Sequence, residues 1–297
     1  MYWSQVRILA GPPKQNMIIW IASYPKSGNT WLRSFLGTYL YSSDGQFNHN
    51  LMHKIHEFPD SQILKKYMNI ENFHNLAEVS KHWIKVQSFI NGFDLYNYSK
   101  DDHIFLKTHS SMCNINGNNF TSAKNTIAVI HVVRDPRNVI LSMSNHFGTS
   151  QEENFKTITN ERHIVYSKVN YQLIPATFIG SWNFHYLSWK NFNSINKVII
   201  RYEDLINNTE DTFKKIINFL SKLTKIKYNE EKLVHSVNST QFKKLQKYEE
   251  KYSFRMGQKN KFFYLGKENN WKNLLNSKMA EKIRVVFSKE MKELDYI

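Results

Sequence analysis

The chain has a single cysteine, Cys113, among its 297 residues. One thiol excludes an internal disulfide framework and a cysteine-rich metal site. A reducing compartment is the simplest assumption for such a chain, and we therefore expect a cytoplasmic location. The sequence also lacks any run of about 18 apolar residues, the length that a membrane-spanning helix requires. We accordingly predict no membrane span.

The first sixteen residues lack the apolar core of a signal peptide. Glycine and two prolines at positions 11–13 interrupt the chain shortly before Met17, where a strongly apolar segment begins. We interpret residues 1–16 as a non-native or disordered N-terminal extension. No repeat or low-complexity linker divides the remainder, so residues 17–297 are predicted to form one domain.

The formal net charge is +15, which permits binding of nucleic acid, a membrane surface or a small anionic ligand. The lysines are dispersed over segments such as 64–67, 213–227 and 241–251 and form no single long basic arm. We read the charge as compatible with an anionic ligand and predict no nucleic-acid partner. A basic nucleic-acid-binding protein stays an alternative.

Short apolar segments alternate with helical patterns along the chain, and residues 44–100 show only weak periodicity. The predicted strands are residues 17–22, 103–107, 126–133 and 197–202. The predicted helices include residues 30–41, 179–192 and 277–294, together with one that starts at Pro136. Strands that alternate with helices predict an α/β fold with a parallel, doubly wound sheet flanked by helices.

Two helices have features that a structure can check. In the helix after Pro136, the apolar residues Val139, Ile140, Met143 and Phe147 share one face. Asn208 precedes two acidic residues and is a candidate N-cap for the helix that follows.

Residues 24–31 join the first predicted strand to a helix. Backbone N–H groups at a helix start point towards a ligand, and the helix dipole favours an anion there. Lys26 adds a cation, Ser27 and Thr30 offer hydroxyl groups, and Gly28 allows close approach of the backbone. The corner therefore predicts a phosphate-binding loop, with a simple capped helix as the alternative.

A Walker A loop would need Gly-x-x-x-x-Gly-Lys-[Ser/Thr]. This loop has one glycine, and its lysine precedes that glycine. A P-loop kinase or other nucleoside triphosphatase, which would need Mg²⁺, therefore remains only the second hypothesis.

A second strand-to-helix corner begins at Arg134 and is followed by Asp135 and Pro136. Ser142 lies about two helical turns further on and can direct its hydroxyl back towards the strand end. Arginine gives bidentate, charge-assisted hydrogen bonds that suit a phosphate monoester. The alternative is a structural ion pair between Arg134 and Asp135.

Taken in order, the two corners resemble the nucleotide-binding motifs of the PAPS-dependent sulfotransferases, of the cytosolic and bacterial types. PAPS is 3′-phosphoadenosine 5′-phosphosulfate, and the reaction releases 3′-phosphoadenosine 5′-phosphate (PAP). The resemblance implies a P-loop-like α/β fold in which Arg134 and Ser142 bind the 3′-phosphate. It assigns the 5′-phosphosulfate and part of the adenosine to Lys26, Ser27, Gly28, Asn29, Thr30 and Trp31. The family usually has threonine where Asn29 stands, and Trp31 either stacks on the base or packs in the core.

Residues 107–109 resemble the family's Lys-Thr-His segment beside the acceptor pocket. By this resemblance His109 is the general base, Lys107 helps to orient the sulfuryl group, and Lys26 stabilises charge on the departing oxygen. A histidine with a pKa near neutrality suits removal of a hydroxyl proton. Two alternatives stay open: a core histidine without a catalytic role, and a carboxylate base from residues 44–100.

The C-terminal segment departs from the family pattern, because Tyr264 and Leu265 stand where a basic pair is usual. Gly266 remains, and Arg255, Lys259, Lys261 or Lys267 are candidates to supply the missing charge at the 3′-phosphate. Tyr202 either contacts the adenine or packs.

The resemblance implies a sulfotransferase that acts on the hydroxyl or amine of a small molecule or carbohydrate. It requires no metal, and no metal-ligand cluster is visible in the sequence. We expect the acceptor pocket to come from residues 44–100 and 148–175.

Overall fold

The computed structural model describes residues 17–67, 73–92, 103–169, 172–252, 261–266 and 270–297. The strands in these ranges are β1 (Met17–Ser23), β2 (His56–Glu57), β3 (His103–Thr108), β4 (Asn114–Ile115), β5 (Asn118–Asn119), β6 (Thr126–Val133), β7 (Ile164–Val169), β8 (Gln172–Phe178) and β9 (Asn196–Arg201). The first helices are α1 (Asn29–Tyr41), α2 (His49–His53), α3 (Ser61–Tyr67), α4 (Leu76–Ser80), α5 (Trp83–Gly92), α6 (Pro136–Phe147), α7 (Gln151–Thr159) and α8 (Trp182–Lys190). The remaining helices are α9 (Tyr202–Asn207), α10 (Thr209–Ser221), α11 (Glu230–Ser239), α12 (Phe242–Tyr252), α13 (Trp271–Leu274), α14 (Ser277–Val286) and α15 (Ser288–Glu293).

Five strands form one parallel sheet in the order β2-β3-β1-β6-β9. The middle strand, β1, is fully buried from Ile18 to Ala22. Burial on both faces explains why this segment is continuously apolar instead of alternating. Helices cover both faces of the sheet, so the predicted α/β class with a parallel sheet is confirmed.

Successive side chains of β1 point to opposite faces and enter two separate hydrophobic clusters. Ile19 and Ile21 pack with α1 and α10 on one face, and Ile18 and Trp20 pack on the other. The Trp20 indole nitrogen donates a hydrogen bond of 3.0 Å to the Thr126 hydroxyl on β6. Trp20 thus joins the two central strands through a side chain as well as through the backbone ladder.

Helix α6 starts as its sequence predicts. Pro136 occupies the first turn, and the Asp135 side chain caps the helix by accepting a hydrogen bond from the Arg137 backbone N–H. Three residues of the predicted apolar face, Val139, Ile140 and Met143, are buried. Phe147 is the exception, because it is 55% exposed at the end of the helix.

Other expectations about secondary structure were wrong. The predicted helix over residues 277–294 is divided into α14 and α15 at Phe287, whose buried ring packs against Trp182. Asn208 does occupy the predicted N-cap position of α10, although its side chain makes no capping hydrogen bond. The antiparallel hairpin of β7 and β8 had not been predicted.

Residues 44–100 contain the expected short helices, α2 to α5, together with the two-residue strand β2. Residues 68–72 and 93–100 of this region lie outside the described ranges. No helix in the described part of the chain is long and apolar enough to cross a membrane.

Replacing Trp20 by alanine should lower the free energy of unfolding by about 3–5 kcal/mol, because it leaves a cavity in the cluster where its ring contacts Phe58, Phe120 and Trp189. The measurement is chemical denaturation of the purified variant. Val285→Ala, at a position that is 63% exposed, is the control and should change stability by less than about 0.5 kcal/mol. Equal effects of the two changes would contradict the assignment of Trp20 to the core.

Candidate active site

The carboxyl ends of the parallel strands lie along one edge of the sheet. Strand β1 ends at the loop of residues 24–28, and Glu57, His109, Arg134 and Tyr202 stand at or just beyond the ends of β2, β3, β6 and β9. The chain places β3 on one side of β1 and β6 on the other, so the strand order reverses at β1. Ligands of open α/β sheets bind at such a reversal.

Residues 24–28, together with the start of α1, are called the donor loop below. Its backbone is left-handed at Lys26, with φ 68°, and at Gly28, with φ 99°. The first backbone hydrogen bond of α1 runs from the Leu32 N–H to the Gly28 carbonyl, at 3.2 Å, and the helix start has no side-chain cap. The N–H groups of the first turn therefore point out of the helix without a helical partner, as in an anion site.

Two hydroxyl groups lie in the donor loop, as its sequence predicts. Ser27 is fully buried, and its hydroxyl has no hydrogen-bond partner among the described residues. Thr30 is half-buried in the first turn of α1. Buried polar groups are nearly always hydrogen-bonded, so the Ser27 hydroxyl fits a site that a polar ligand completes.

Arg134 joins the two corners. Its guanidinium donates a hydrogen bond of 2.9 Å to the Lys26 carbonyl, and its Nε has no partner among the described residues. Asp135 pairs with Arg137 at 2.7 Å, so the alternative of an Arg134–Asp135 ion pair does not apply. Ser142 is half-buried on α6, two turns after the corner. Arg134 thus contacts the donor loop and retains hydrogen-bond donors for a phosphate.

Tyr202 lies directly against the donor loop. A Cβ atom added at Gly28 would stand only 2.4 Å from Tyr202 Cδ2, and the Arg134 guanidinium stacks 4.1 Å from the centre of the Tyr202 ring. Trp31 is buried, and its indole nitrogen donates a 2.8 Å hydrogen bond to the Thr240 carbonyl. The structure therefore places Trp31 in the core beneath the loop and Tyr202 between the two corners.

His109 is half-buried and is fixed through one ring nitrogen. Its Nδ1 stands 2.7 Å from the Ser23 carbonyl oxygen. A carbonyl only accepts, so Nδ1 bears the proton and Nε2 is the basic nitrogen. Burial and, next, the positive charge of Lys107 hold the pKa of His109 well below 6.5. The imidazole is therefore neutral at pH 7.

The Lys107 ammonium is buried and forms an ion pair with Glu57 on the neighbouring strand β2. Burial would raise the pKa of Glu57, but the positive charge and hydrogen bond of Lys107 outweigh it, and the pKa is lowered to about 2. The sequence had indicated only an unidentified carboxylate within residues 44–100. A two-residue strand has too short a sequence pattern to predict that Glu57 faces the Lys-Thr-His segment.

The C-terminal part of the chain contacts the donor loop through Phe262. The Lys26 ammonium lies 4.8 Å from the centre of the Phe262 ring. The buried Glu249 carboxylate accepts hydrogen bonds from the backbone N–H groups of Phe262, at 2.7 Å, and Phe263, at 2.9 Å. Glu249 therefore holds this segment against the donor loop, a function that the sequence did not reveal.

Gly266 belongs to the same segment and has a left-handed φ of 55°. A Cβ atom there would stand 2.7 Å from the Phe242 ring, so glycine is needed for this close approach. Three candidates for the missing basic pair, Arg255, Lys259 and Lys267, lie outside the described residues. The fourth, Lys261, forms an exposed ion pair of 2.8 Å with Glu250.

A sequence model of the sulfotransferase domain matches residues 17–295. The chain belongs to the sulfotransferase domain family. The chain is 26% identical to a 3-alpha-hydroxysteroid sulfotransferase from Cavia porcellus over 75% of its own length. It is 24% identical to a luciferin sulfotransferase from Photinus pyralis over 76% of its length. The matched segments span 64% and 55% of these relatives, less than two thirds of either.

Solved structures resemble this chain in fold. Mouse sulfotransferase SULT7A1 complexed with PAP has a TM-score of 0.57 at 18% identity, covering 93% of this chain and 85% of the other. Retinol dehydratase in a complex with retinol and PAP has a TM-score of 0.56 at 15% identity, covering 94% and 82%. At these identities the likeness shows the shared fold alone.

The contact between Gly28 and Tyr202 can be tested with a matched pair of glycines. Gly148→Ala should cost about 1–2 kcal/mol, because the position has φ 70° with nothing near the added Cβ. Gly28→Ala should cost roughly 1–3 kcal/mol more, because its Cβ also collides with the Tyr202 ring. Chemical denaturation measures both. When Gly28→Ala is added to Tyr202→Ala and compared with Tyr202→Ala alone, the additional cost should disappear. An additional cost that persists in this background would contradict the contact.

Proposed function

We propose that this sulfotransferase transfers a sulfuryl group from PAPS to a hydroxyl or amine of a small-molecule or carbohydrate acceptor, releasing PAP. The supporting observation is the pair of phosphate-type corners joined by the Arg134–Lys26 hydrogen bond. One corner offers free helical N–H groups and the other a partly unused guanidinium. Two such corners suit a nucleotide that carries phosphate groups at both the 3′ and the 5′ position of its ribose. The single thiol favours a cytoplasmic setting.

The relatives support this choice of donor and acceptor. Two proteins of the same fold are solved in complexes with PAP. The two relatives described above are named for a steroid and for luciferin, which are small organic molecules. The kinase hypothesis is weaker, because the donor loop lacks the glycine and lysine order of a Walker A loop.

The proposed reaction is a direct in-line displacement. The acceptor oxygen or nitrogen attacks sulfur, and the bond between sulfur and the oxygen shared with the 5′-phosphate breaks as PAP leaves. Lys26 neutralises charge on that oxygen, while Ser27 and the helix start hold the phosphosulfate. Positioning and electrostatic stabilisation supply most of the rate in the related transfer of phosphoryl groups.

His109 is the proposed general base, acting through Nε2. Its competitor is Glu57, the carboxylate that the structure brings closest to the Lys-Thr-His segment. A base is most effective when its pKa lies near the operating pH. The pKa of Glu57 is about 2 because the charge of Lys107 favours the ionised carboxylate over the effect of burial. Glu57 is therefore a poor proton acceptor near neutral pH and serves to balance the charge of Lys107.

Calorimetric titration with PAP and with ATP plus Mg²⁺ tests the donor assignment. We expect binding of PAP without a metal and much weaker binding of ATP. Incubation with sulfur-labelled PAPS and a panel of alcohols, phenols, amines and sugars then tests transfer. Tight binding of ATP with no binding of PAP would exclude the proposal in favour of a nucleotide kinase.

Arg134→Ala should weaken PAP binding by about 2–3 kcal/mol, since a charge-assisted pair with a buried guanidinium is lost. Adenosine 5′-phosphate, which has no 3′-phosphate, is the matched ligand control and should lose much less. Titration of both ligands into wild type and variant gives the comparison. Equal losses for the two ligands would show that Arg134 acts only through the donor loop.

His109→Ala should lower the rate with a poorly acidic alcohol by about 10²–10⁴ and lower it less with an acidic phenol. The wild-type rate should fall as pH drops through the pKa of His109, below 6.5, because only the neutral ring accepts a proton. Rate–pH profiles for His109→Ala and Glu57→Gln provide the measurement. An acid limb that survives in His109→Ala and disappears in Glu57→Gln would move the base to Glu57.

A further inference from the structure

Asn29 lies in the donor loop, but its side-chain nitrogen is directed away from the helix start and towards β1. The amide nitrogen donates to the Ile21 carbonyl at 3.2 Å and to the Ser23 hydroxyl at 3.1 Å. Both of its hydrogens are therefore used within the protein, and the side chain is buried. These two bonds hold the carboxyl end of β1, from Ile21 to Ser23, in place.

Ser23 in turn presents two oxygens to His109. The His109 Nδ1 is 2.7 Å from the Ser23 carbonyl oxygen and 3.3 Å from the Ser23 hydroxyl oxygen. Ser23 is fully buried, so water does not compete for these contacts. The hydrogen bond made by one imidazole nitrogen determines which nitrogen is left basic. The position of Ser23 therefore determines that Nε2 is the proton acceptor.

We propose that Asn29 is a positioning residue for His109, acting through Ser23. The amide holds Ser23, Ser23 holds the Nδ1–H of the imidazole, and the donor loop and the general base are thereby fixed as one unit. This inference deepens the proposed function and rests on it for its catalytic meaning. The tautomer of His109 can be measured without any transfer assay.

Other groups also act on His109 and must stay constant in the test. Lys107 and His185 lower its pKa through their charges, and Glu57 raises it. Asn29→Ala removes no charge and touches none of the three. A change in the imidazole of that variant therefore reports the loss of the hydrogen bonds to β1.

The first experiment is long-range ¹H–¹⁵N NMR of the histidine rings, with the His109 signals assigned by their absence in His109→Ala. Wild type should show a neutral ring protonated at Nδ1. Asn29→Ala and Ser23→Ala should both gain the tautomer protonated at Nε2, whereas Asn75→Ala, at the start of α4, should match wild type. Unchanged His109 signals in Asn29→Ala would overturn the proposal, whether or not the protein transfers sulfuryl groups.

The second experiment is a double-mutant cycle on the transfer rate with a poorly acidic alcohol. Asn29→Ala should lower the rate roughly tenfold in wild type and hardly at all in His109→Ala, because the base it positions is then absent. Asn29→Thr, which retains one donor, should recover part of the rate. An equal loss in both backgrounds would overturn the proposal.

Affinity for PAP separates the two possible roles of Asn29. Calorimetry should give Asn29→Ala a dissociation constant within about threefold of wild type, because its amide hydrogens face β1 and not the ligand. A tenfold or larger loss of PAP affinity, with normal His109 signals, would show that Asn29 binds the nucleotide directly and would overturn the positioning role. Failure of wild type to bind PAP would instead count against the proposed function alone.

Discussion

The hydrogen bond from the Arg134 guanidinium to the Lys26 carbonyl connects the two corners on which the site depends. Lys26 has a left-handed backbone, which is uncommon for a residue with a side chain and persists only where surrounding contacts impose it. The arginine provides such a contact, and Tyr202 supports it by stacking on the guanidinium while leaning on Gly28. The shape of the donor loop is therefore set by residues more than a hundred positions away.

The sequence predicted the fold best where burial is continuous. The strands β1 and β6 are mostly apolar because helices cover both of their faces, and that pattern is visible without a structure. Predictions failed where tertiary contacts override local preference. The final helix is interrupted because Phe287 turns into the core against Trp182. The strands β7 and β8 form a separate two-stranded sheet that leaves Ile164 and Tyr166 exposed, so the apolar alternation of the hairpin is weak.

The site follows the same division. Both nucleotide corners were recognisable, since each combines a strand end, a helix start and a charged side chain within a few residues. The partners of Lys107 and His109 were not, because Glu57 and Ser23 come from other strands and are joined only by sheet order. The consequence is electrostatic: Glu57 balances the ammonium group of Lys107 beside a neutral imidazole, and a low-dielectric site keeps such an arrangement sensitive to each member.

The row of functional groups at the sheet edge is assembled from five strands whose order in space differs from their order in the chain. An unfolded chain presents none of it. A nucleotide held there binds only the folded protein, so its binding free energy adds to the free energy of unfolding. At a nucleotide concentration one hundred times the dissociation constant, the addition is about 2.7 kcal/mol. Any increase in occupancy of the donor site therefore also increases the resistance of the chain to unfolding.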